Sequence, residues 1–382
     1  GLLVCRGLLH AAALTRDEDA RRVALRVAER ICREGRSPSG FFWADFVPAA
    51  VASPNGTVPN PLARGRREWG CGWQASPGVL HARTVADACD HLAAMIALER
   101  NTRGESDATR LWSEALEGNL RAALEAQLPG GSYGQCYDPA VGRAVRAEGC
   151  GGLPWIPAMV KAIGLGLGGA ELVERMGASV RRAAEAYAPA VEAEAIWGAP
   201  EDNDSPSSED GMNAVVAYAD LYALFGEARH LALARQAADW MLTFRKTYNQ
   251  RLPEASLMGR YGLRSRGGDY ASASNNHLHI FEVLATRQLC ELSRWTGNPY
   301  YRRRAMDHWA FACQYLSRCD GMYNGFRGAM AEQFYWCEWG SWNSRWRPPA
   351  GHRQKGSMAP FTAVWCLAVL LVAAPDAARE FA

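Results

Sequence analysis

The chain has 382 residues, 48% hydrophobic and 21% charged, with a formal net charge of +2. That supplies apolar material for a large core. The near-neutral balance argues against a nucleic-acid surface or an acidic tail, because the basic residues are almost all Arg and are interleaved with acids, as in RDEDARR (16–22).

Helical periodicity dominates and strand alternation is scarce. The first segment, 2–34, reads as helix, turn, helix, and 79–128 repeats the pattern. A third unit, 153–187, turns at a glycine run. In 212–244 the turn is Phe225-Gly226-Glu227, and in 277–316 it is Thr296-Gly297-Asn298-Pro299. Glycine closes the first helix of each of these two pairs by accepting a left-handed conformation, and Pro299 cannot continue the helix before it.

A last helix is expected at about 357–373. The apolar run 358–374 nearly reaches the length of a membrane span, but Pro360 interrupts it, so a buried helix and no membrane partner are expected. The six first helices then begin near residues 2, 79, 154, 209, 274 and 357. They are apolar nearly all round, whereas the second helices carry more Arg and Glu. Inner and outer helices of a closed double ring would show this contrast. An open superhelix of helical pairs is the structural alternative.

Turns within pairs are short. Those between pairs are long: 35–78, 128–153, 189–208, 249–274 and 319–356. Loops of that length inside one domain (1–382) are commonly functional. They hold or border nine of the fourteen Trp, including Trp69, Trp73, Trp155, Trp336, Trp339 and Trp342. An indole offers a rigid face for a pyranose ring and an N–H for a hydrogen bond, and it packs loops together equally well. Acids accompany them, and glycosidic cleavage needs two carboxyl groups flanking the bond.

Paired helices with T/F-G-x-x-x-Y/H turns, repeated six times with long loops between pairs, resemble the six-hairpin (α/α)6-barrel glycosidase superfamily. The resemblance covers most of the chain and rests on architecture. It implies an all-α (α/α)6 barrel (toroid) and an oligo- or polysaccharide substrate. It leaves open hydrolysis, elimination (as in polysaccharide lyases) and epimerisation. A non-catalytic helical-repeat scaffold is the reading outside enzymes.

Under the hydrolase reading, Glu338, wedged between Trp336-Cys337 and Trp339, is the proton donor, because desolvation raises a carboxyl pKa. Asp210 or Asp269 is the base or nucleophile, with Glu209 and Glu332 as further candidates. Ser207-Ser208-Glu209-Asp210 is also a helix-capping pattern. Glu209 and Asp210 lie about 100° apart on a helix, so at most one faces a scissile bond.

Under the lyase or epimerase reading, His277, His279 or a loop tyrosine (Tyr133 or Tyr270) takes the proton. His277 and His279, placed on a helix, point in different directions, so only one faces the ligand. Asn275, His81 and Arg83 are candidate substrate contacts, and Arg83 with Asp87 is also an i, i+4 pair.

No HExxH, phosphate-binding glycine loop or dinucleotide fingerprint occurs, so no metal or cofactor is expected. Eleven cysteines without a CxxC read as reduced thiols of a cytoplasmic protein, an exported bacterial protein being the alternative. No signal peptide is expected at the start.

Overall fold

The computed structural model describes residues 1–47, 50–53, 56–59, 68–72, 77–200, 205–252, 257–272, 277–324, 326–330 and 364–381. Twelve helices lie among them: α1 (Leu2–Thr15), α2 (Glu18–Glu34), α3 (Ala82–Arg103), α4 (Asp107–Ala126), α5 (Trp155–Gly164), α6 (Gly169–Glu192), α7 (Ser208–Phe225), α8 (Ala228–Met241), the single turn α9 (Leu257–Arg260), α10 (Thr286–Thr296), α11 (Pro299–Cys313) and α12 (Val364–Phe381). Nine short strands decorate the connections. Those that matter here are β5 (Leu80–His81), β6 (Cys136–Tyr137) and β7 (Ala144–Arg146) in one sheet, and the antiparallel pair β8 (Asp269–Tyr270) and β9 (Leu278–His279). The chain falls into two compact units.

The first unit contains Gly1–Cys5, Glu18–Pro189 and Gly198–Asn203. Helix α3 packs on α4 and α5, and buries Val85, Leu92, Met95 and Ile96. Helix α4 starts on a capping box in which the Ser106 side chain accepts from the Thr109 N–H and the Thr109 side chain accepts from the Ser106 N–H. Trp155 opens α5 and is fully buried. Its indole N–H donates to Tyr137 Oη at 2.9 Å, and the Tyr137 ring stacks on Phe41 at 4.5 Å. This loop tryptophan therefore fastens a loop to the core.

The second unit contains Arg6–Asp17, Ala190–Trp197 and Asp204–Ala382. Helix α7 is buried along most of its first fourteen residues, while α8 buries one face through His230, Leu233, Ala234, Ala237, Ala238 and Met241. This is the expected contrast between an apolar first helix and an amphipathic second one. Gly226 (φ 70°) and Gly297 (φ 67°) close α7 and α10 in the left-handed conformation. Pro299 occupies the first turn of α11 behind Asn298, whose side chain accepts from the Tyr300 N–H at 3.0 Å.

The fifth pair departs from the sequence reading. Residues 277–285 are not the start of a helix. They contain β9 (Leu278–His279) and a 3-10 turn (Phe281–Ala285), and α10 begins only at Thr286. The antiparallel register Asp269↔His279 and Tyr270↔Leu278 draws this stretch into a strand. Ladder bonds to the strand just before it, across a short connection, override the local helical period. Similarly, the second unit's counterpart in the first half, α3, starts at Ala82 because Leu80 and His81 pair with Tyr137 and Cys136.

Helix α12 packs on α10, α11 and the 3-10 turn and buries Cys366, Val369 and Val372. Among the described residues no helix is long and apolar enough to cross a membrane. Cys5, Cys32, Cys89 and Cys290 are buried free thiols.

Candidate functional site

The second unit holds a buried group of titratable side chains, assembled from six segments. Arg245 follows α8, Asp269 lies on β8, His279 on β9, Glu282 in the 3-10 turn, His308 on α11 and Glu209 in the first turn of α7. Arg245 and Asp269 form its base. Their side chains are inaccessible to solvent, and the guanidinium grips the carboxylate twice, Nε to Oδ1 at 2.7 Å and Nη2 to Oδ2 at 2.6 Å. A planar fork matched to a carboxylate is the arrangement that best offsets desolvation of both charges. Nη1 of Arg245 also donates to the Arg304 carbonyl at 3.1 Å.

His308 stands beside this pair, its Nδ1 2.6 Å from the Gly267 carbonyl and 3.8 Å from Asp269 Oδ2. Gly267 has φ 93°, and a Cβ there would lie 2.1 Å from the Asp307 carbonyl oxygen, so only glycine allows this approach. The other nitrogen of His308, Nε2, is 3.7 Å from Glu282 Oε2. Glu282 turns its other oxygen, Oε1, to His279 Nδ1 at 3.5 Å. Finally, His279 Nε2 lies 3.5 Å from Glu209 Oε1.

The environment polarises these groups. Burial pushes Asp269 up to about 7, against the pull of Arg245 and with the help of the neighbouring Glu282. Burial opposes ionisation of Glu282 too, but His279 and His308 hold it below the usual carboxylate range. Burial, reinforced by Arg245, lowers His308 to about 3. His277 is lowered well below an ordinary imidazole by burial and then by His279.

Asp269, Glu282 and His308 are of the ligand type that holds metal ions, with one atom from each within 4.8 Å of the others. The donor set does not suit a cation. Both oxygens of Asp269 are engaged by Arg245, and the guanidinium already supplies the positive charge beside them.

The residues expected from sequence divide as follows. Asp210 is the capping acid of α7: its Oδ2 accepts from the Ser207 N–H at 3.0 Å and from Ser207 Oγ at 2.7 Å, while Ser207 Oγ accepts from the Asp210 N–H at 3.1 Å. Asp269 is held in the Arg245 pair. Both carboxylates are thus occupied by structure, and of the two acids at the start of α7 it is Glu209 that faces a titratable partner.

The expectation that His277 and His279 point apart is corrected. His279 lies on β9 and His277 stands just ahead of it in extended chain rather than on a helix, with the His277 carbonyl accepting from the Ala271 N–H, and their ring centroids are 5.3 Å apart. Trp365 of α12 packs on the His279 ring at 5.9 Å.

In the first unit, His81 is fully buried, and its Nε2 is 3.1 Å from Nε2 of Gln135, which also bonds the Gly198 carbonyl and the Gly151 N–H. Arg83 is buried, and its Nε donates to Asp87 at 3.3 Å, the i, i+4 pair expected. Trp69 packs on Phe46 with centroids 4.8 Å apart. Tyr133 is sealed in the core, its hydroxyl 2.8 Å from Ser179 Oγ. Tyr270 lies under the ammonium of Lys246, 4.6 Å from its ring centroid. Glu332, Glu338, Trp73, Trp336, Trp339, Trp342 and Asn275 lie outside the described residues.

Arg245, Glu282 and His308 were missed from sequence. The HLHIFE run (277–282) carried a usable signal for Glu282, since three chemically active side chains fall within six residues. Arg245 and His308 carried none, because each reads as an ordinary member of an amphipathic helical stretch.

No protein-family model and no curated protein matches the sequence. Solved structures do match over nearly its whole length. A D-mannose isomerase aligns with TM-score 0.59 at 10% identity, covering 98% of this chain and 87% of its own. The cellobiose 2-epimerase of Spirochaeta thermophila aligns with TM-score 0.56 at 11% identity, covering 99% and 86%. A family 88 glycosyl hydrolase from Bacteroides vulgatus aligns with TM-score 0.50 at 11% identity, covering 100% and 91%. The chain has the six-hairpin (α/α)6-barrel fold. Identities this low establish the shared barrel architecture, and fold by itself does not transmit a reaction.

Proposed function

We propose that the protein is a carbohydrate-active enzyme that moves a proton on a reducing sugar, as a 2-epimerase or an aldose–ketose isomerase. The observation that carries this reading is the proximity of the His277 and His279 rings, 5.3 Å apart, with Glu209 and Glu282 on either side of His279. Exchange of configuration or of carbonyl position at C2 needs a base to take the C2 proton from the open-chain sugar and an acid to return it. His277 is kept neutral by its surroundings, the form an imidazole must have to accept a proton. His279 lies between two carboxylates, so a proton on its ring is electrostatically compensated. The barrel neighbours named as a mannose isomerase and a cellobiose epimerase support this reading.

The test is incubation with D-mannose and, separately, cellobiose in D2O, with deuterium at C2 followed by NMR. Exchange that disappears in His279→Gln, while the circular dichroism spectrum is unchanged, is the expected result. Exchange at an unaltered rate in that variant would sink the assignment.

Glycoside hydrolysis is the second reading, favoured by the aromatic setting of Glu338 in YWCEWGSW (335–342) and by the hydrolase among the barrel neighbours. Glu338 would be the proton donor. With Asp210 and Asp269 occupied, Glu209 is the remaining described candidate for the second carboxylate. Release of new reducing ends without C2 exchange, abolished in Glu338→Gln, would select this reading.

A further inference from the structure

We infer that His308 is a positioning residue that shares one mobile proton with Glu282 and His279, so that a buried His–Glu–His relay sets the protonation of the face proposed for catalysis. The inference deepens the acid–base reading of His279 and rests on it for its functional meaning. Its physical content stands on geometry alone.

Glu282 lies between two imidazoles, 3.5 Å from His279 Nδ1 by one oxygen and 3.7 Å from His308 Nε2 by the other. Glu282 and His308 are each about 1% exposed, and neither carboxylate oxygen nor His308 Nε2 has a hydrogen-bond partner at normal distance. A carboxylate removed from water is costly without compensating groups, by several kcal/mol for an isolated ion. The two adjacent imidazoles and the Ser208 hydroxyl are the compensating groups at hand.

His308 cannot simply rotate to serve. Its Nδ1 is fixed against the Gly267 carbonyl at 2.6 Å, which leaves Nε2 as the nitrogen aimed at Glu282. A backbone carbonyl on one nitrogen thereby fixes which nitrogen works. Behind it, Arg245 and Asp269 close off the other side, and because Asp269 itself is raised to about 7, a proton entering the relay has four homes: His279, Glu282, His308 and Asp269.

The charged and titratable groups around the relay come from each packed element. They are Glu209 of α7, His277 ahead of β9, Asp269 of β8, Arg245 after α8, and Arg304 and Asp307 of α11, which pair with each other. Tyr315, whose hydroxyl donates to the Leu278 carbonyl, and Cys366 of α12 complete the set. Glu209 is the member nearest solvent, its side chain 14% exposed, so it is the exit through which the relay reaches a ligand or water.

The experiment is 15N–1H NMR of the histidine rings of the intact, substrate-free protein, titrated from pH 3 to 9 so that the range includes the lowered His308. In the wild type the His279 and His308 rings are expected to report the same two midpoints, because groups coupled by more than about one pK unit titrate as one system. In His308→Leu, Glu282 loses one of its two imidazoles and keeps His279, and the His279 midpoint is expected to rise by about one pH unit or more. His308→Gln restores an amide toward Glu282 and is expected to move the midpoint part of the way back.

Separate single midpoints in the wild type overturn the relay. So does a His279 midpoint unchanged in both variants. Should the variants fold poorly, the wild-type titration decides alone. Failure here leaves the C2-exchange test untouched, and absence of C2 exchange leaves the coupled titration standing, so the two readings fall separately.

Discussion

Replacing Arg245 by Met tests whether Asp269 is a structural acid. The side chain of Met fills much of the same volume without charge, so the change removes both 2.6–2.7 Å contacts to Asp269 and the bond to the Arg304 carbonyl. Asp269 is then a carboxylate with no solvent access and with Glu282 nearby. Breaking a buried pair from one side costs about 3–5 kcal/mol, because an uncompensated charge remains.

Asp269→Asn strands the guanidinium instead and is expected to cost a similar amount. The double variant should cost clearly less than the sum, with a coupling of about 2 kcal/mol or more, since neither charge is left alone. Urea denaturation followed by circular dichroism at pH 7.5 and 5.5 measures all four proteins. The Arg245→Met deficit should shrink at the lower pH. The carboxyl of Asp269 already sits high in the intact protein, at about 7, and loss of Arg245 pushes it higher, so acid supplies the proton that neutralises it. Additive single costs, or an Arg245→Met cost below about 1 kcal/mol, would refute the argument that this pair anchors the site.

Other perturbations follow from the same geometry. Ser207→Ala removes the side-chain half of the α7 capping box and should cost about 1 kcal/mol by urea denaturation, with a larger loss in any activity that depends on the neighbouring Glu209. Gly267→Ala forces a Cβ to 2.1 Å from a carbonyl oxygen at φ 93° and should reduce soluble yield or lower the melting temperature sharply, whereas Gly164→Ala, with open space around it, should be benign. His308 and His277 have folded pKa values below the unfolded 6.5, so the unfolded chain binds more protons as pH falls. The histidine contribution to stability should therefore decline from pH 6.5 downward, towards pH 3 for His308, by about 1.4 kcal/mol per pH unit for each histidine, opposed by the raised Asp269, which gains stability as pH falls below about 7; His308→Leu should remove its share of the decline. A slope unchanged in the variant would show that His308 is not held neutral in the folded state.

The amino-acid sequence by itself determined the helical pairs, their glycine turns and the contrast between apolar and amphipathic members. These depend on residues three or four apart and on glycine at a single position, so they are written locally. The capping box of α7 was legible for the same reason, and with it the conclusion that Asp210 and Glu209 have different tasks.

Tertiary structure decided the rest. Residues 277–279 read as the beginning of a helix, and only pairing of Leu278 and His279 with Tyr270 and Asp269 made an extended stretch of them and brought the two imidazoles within 5.3 Å of each other. Asp269 read as a loop acid free for chemistry, and only Arg245, 24 residues away, showed it to be an anchor. The Glu282–His308 contact joins positions 26 apart whose meeting no local period encodes. Ionisation follows from burial and from the sign of the nearest charge. Both are set by what the fold brings together, and neither can be read from the neighbours in sequence.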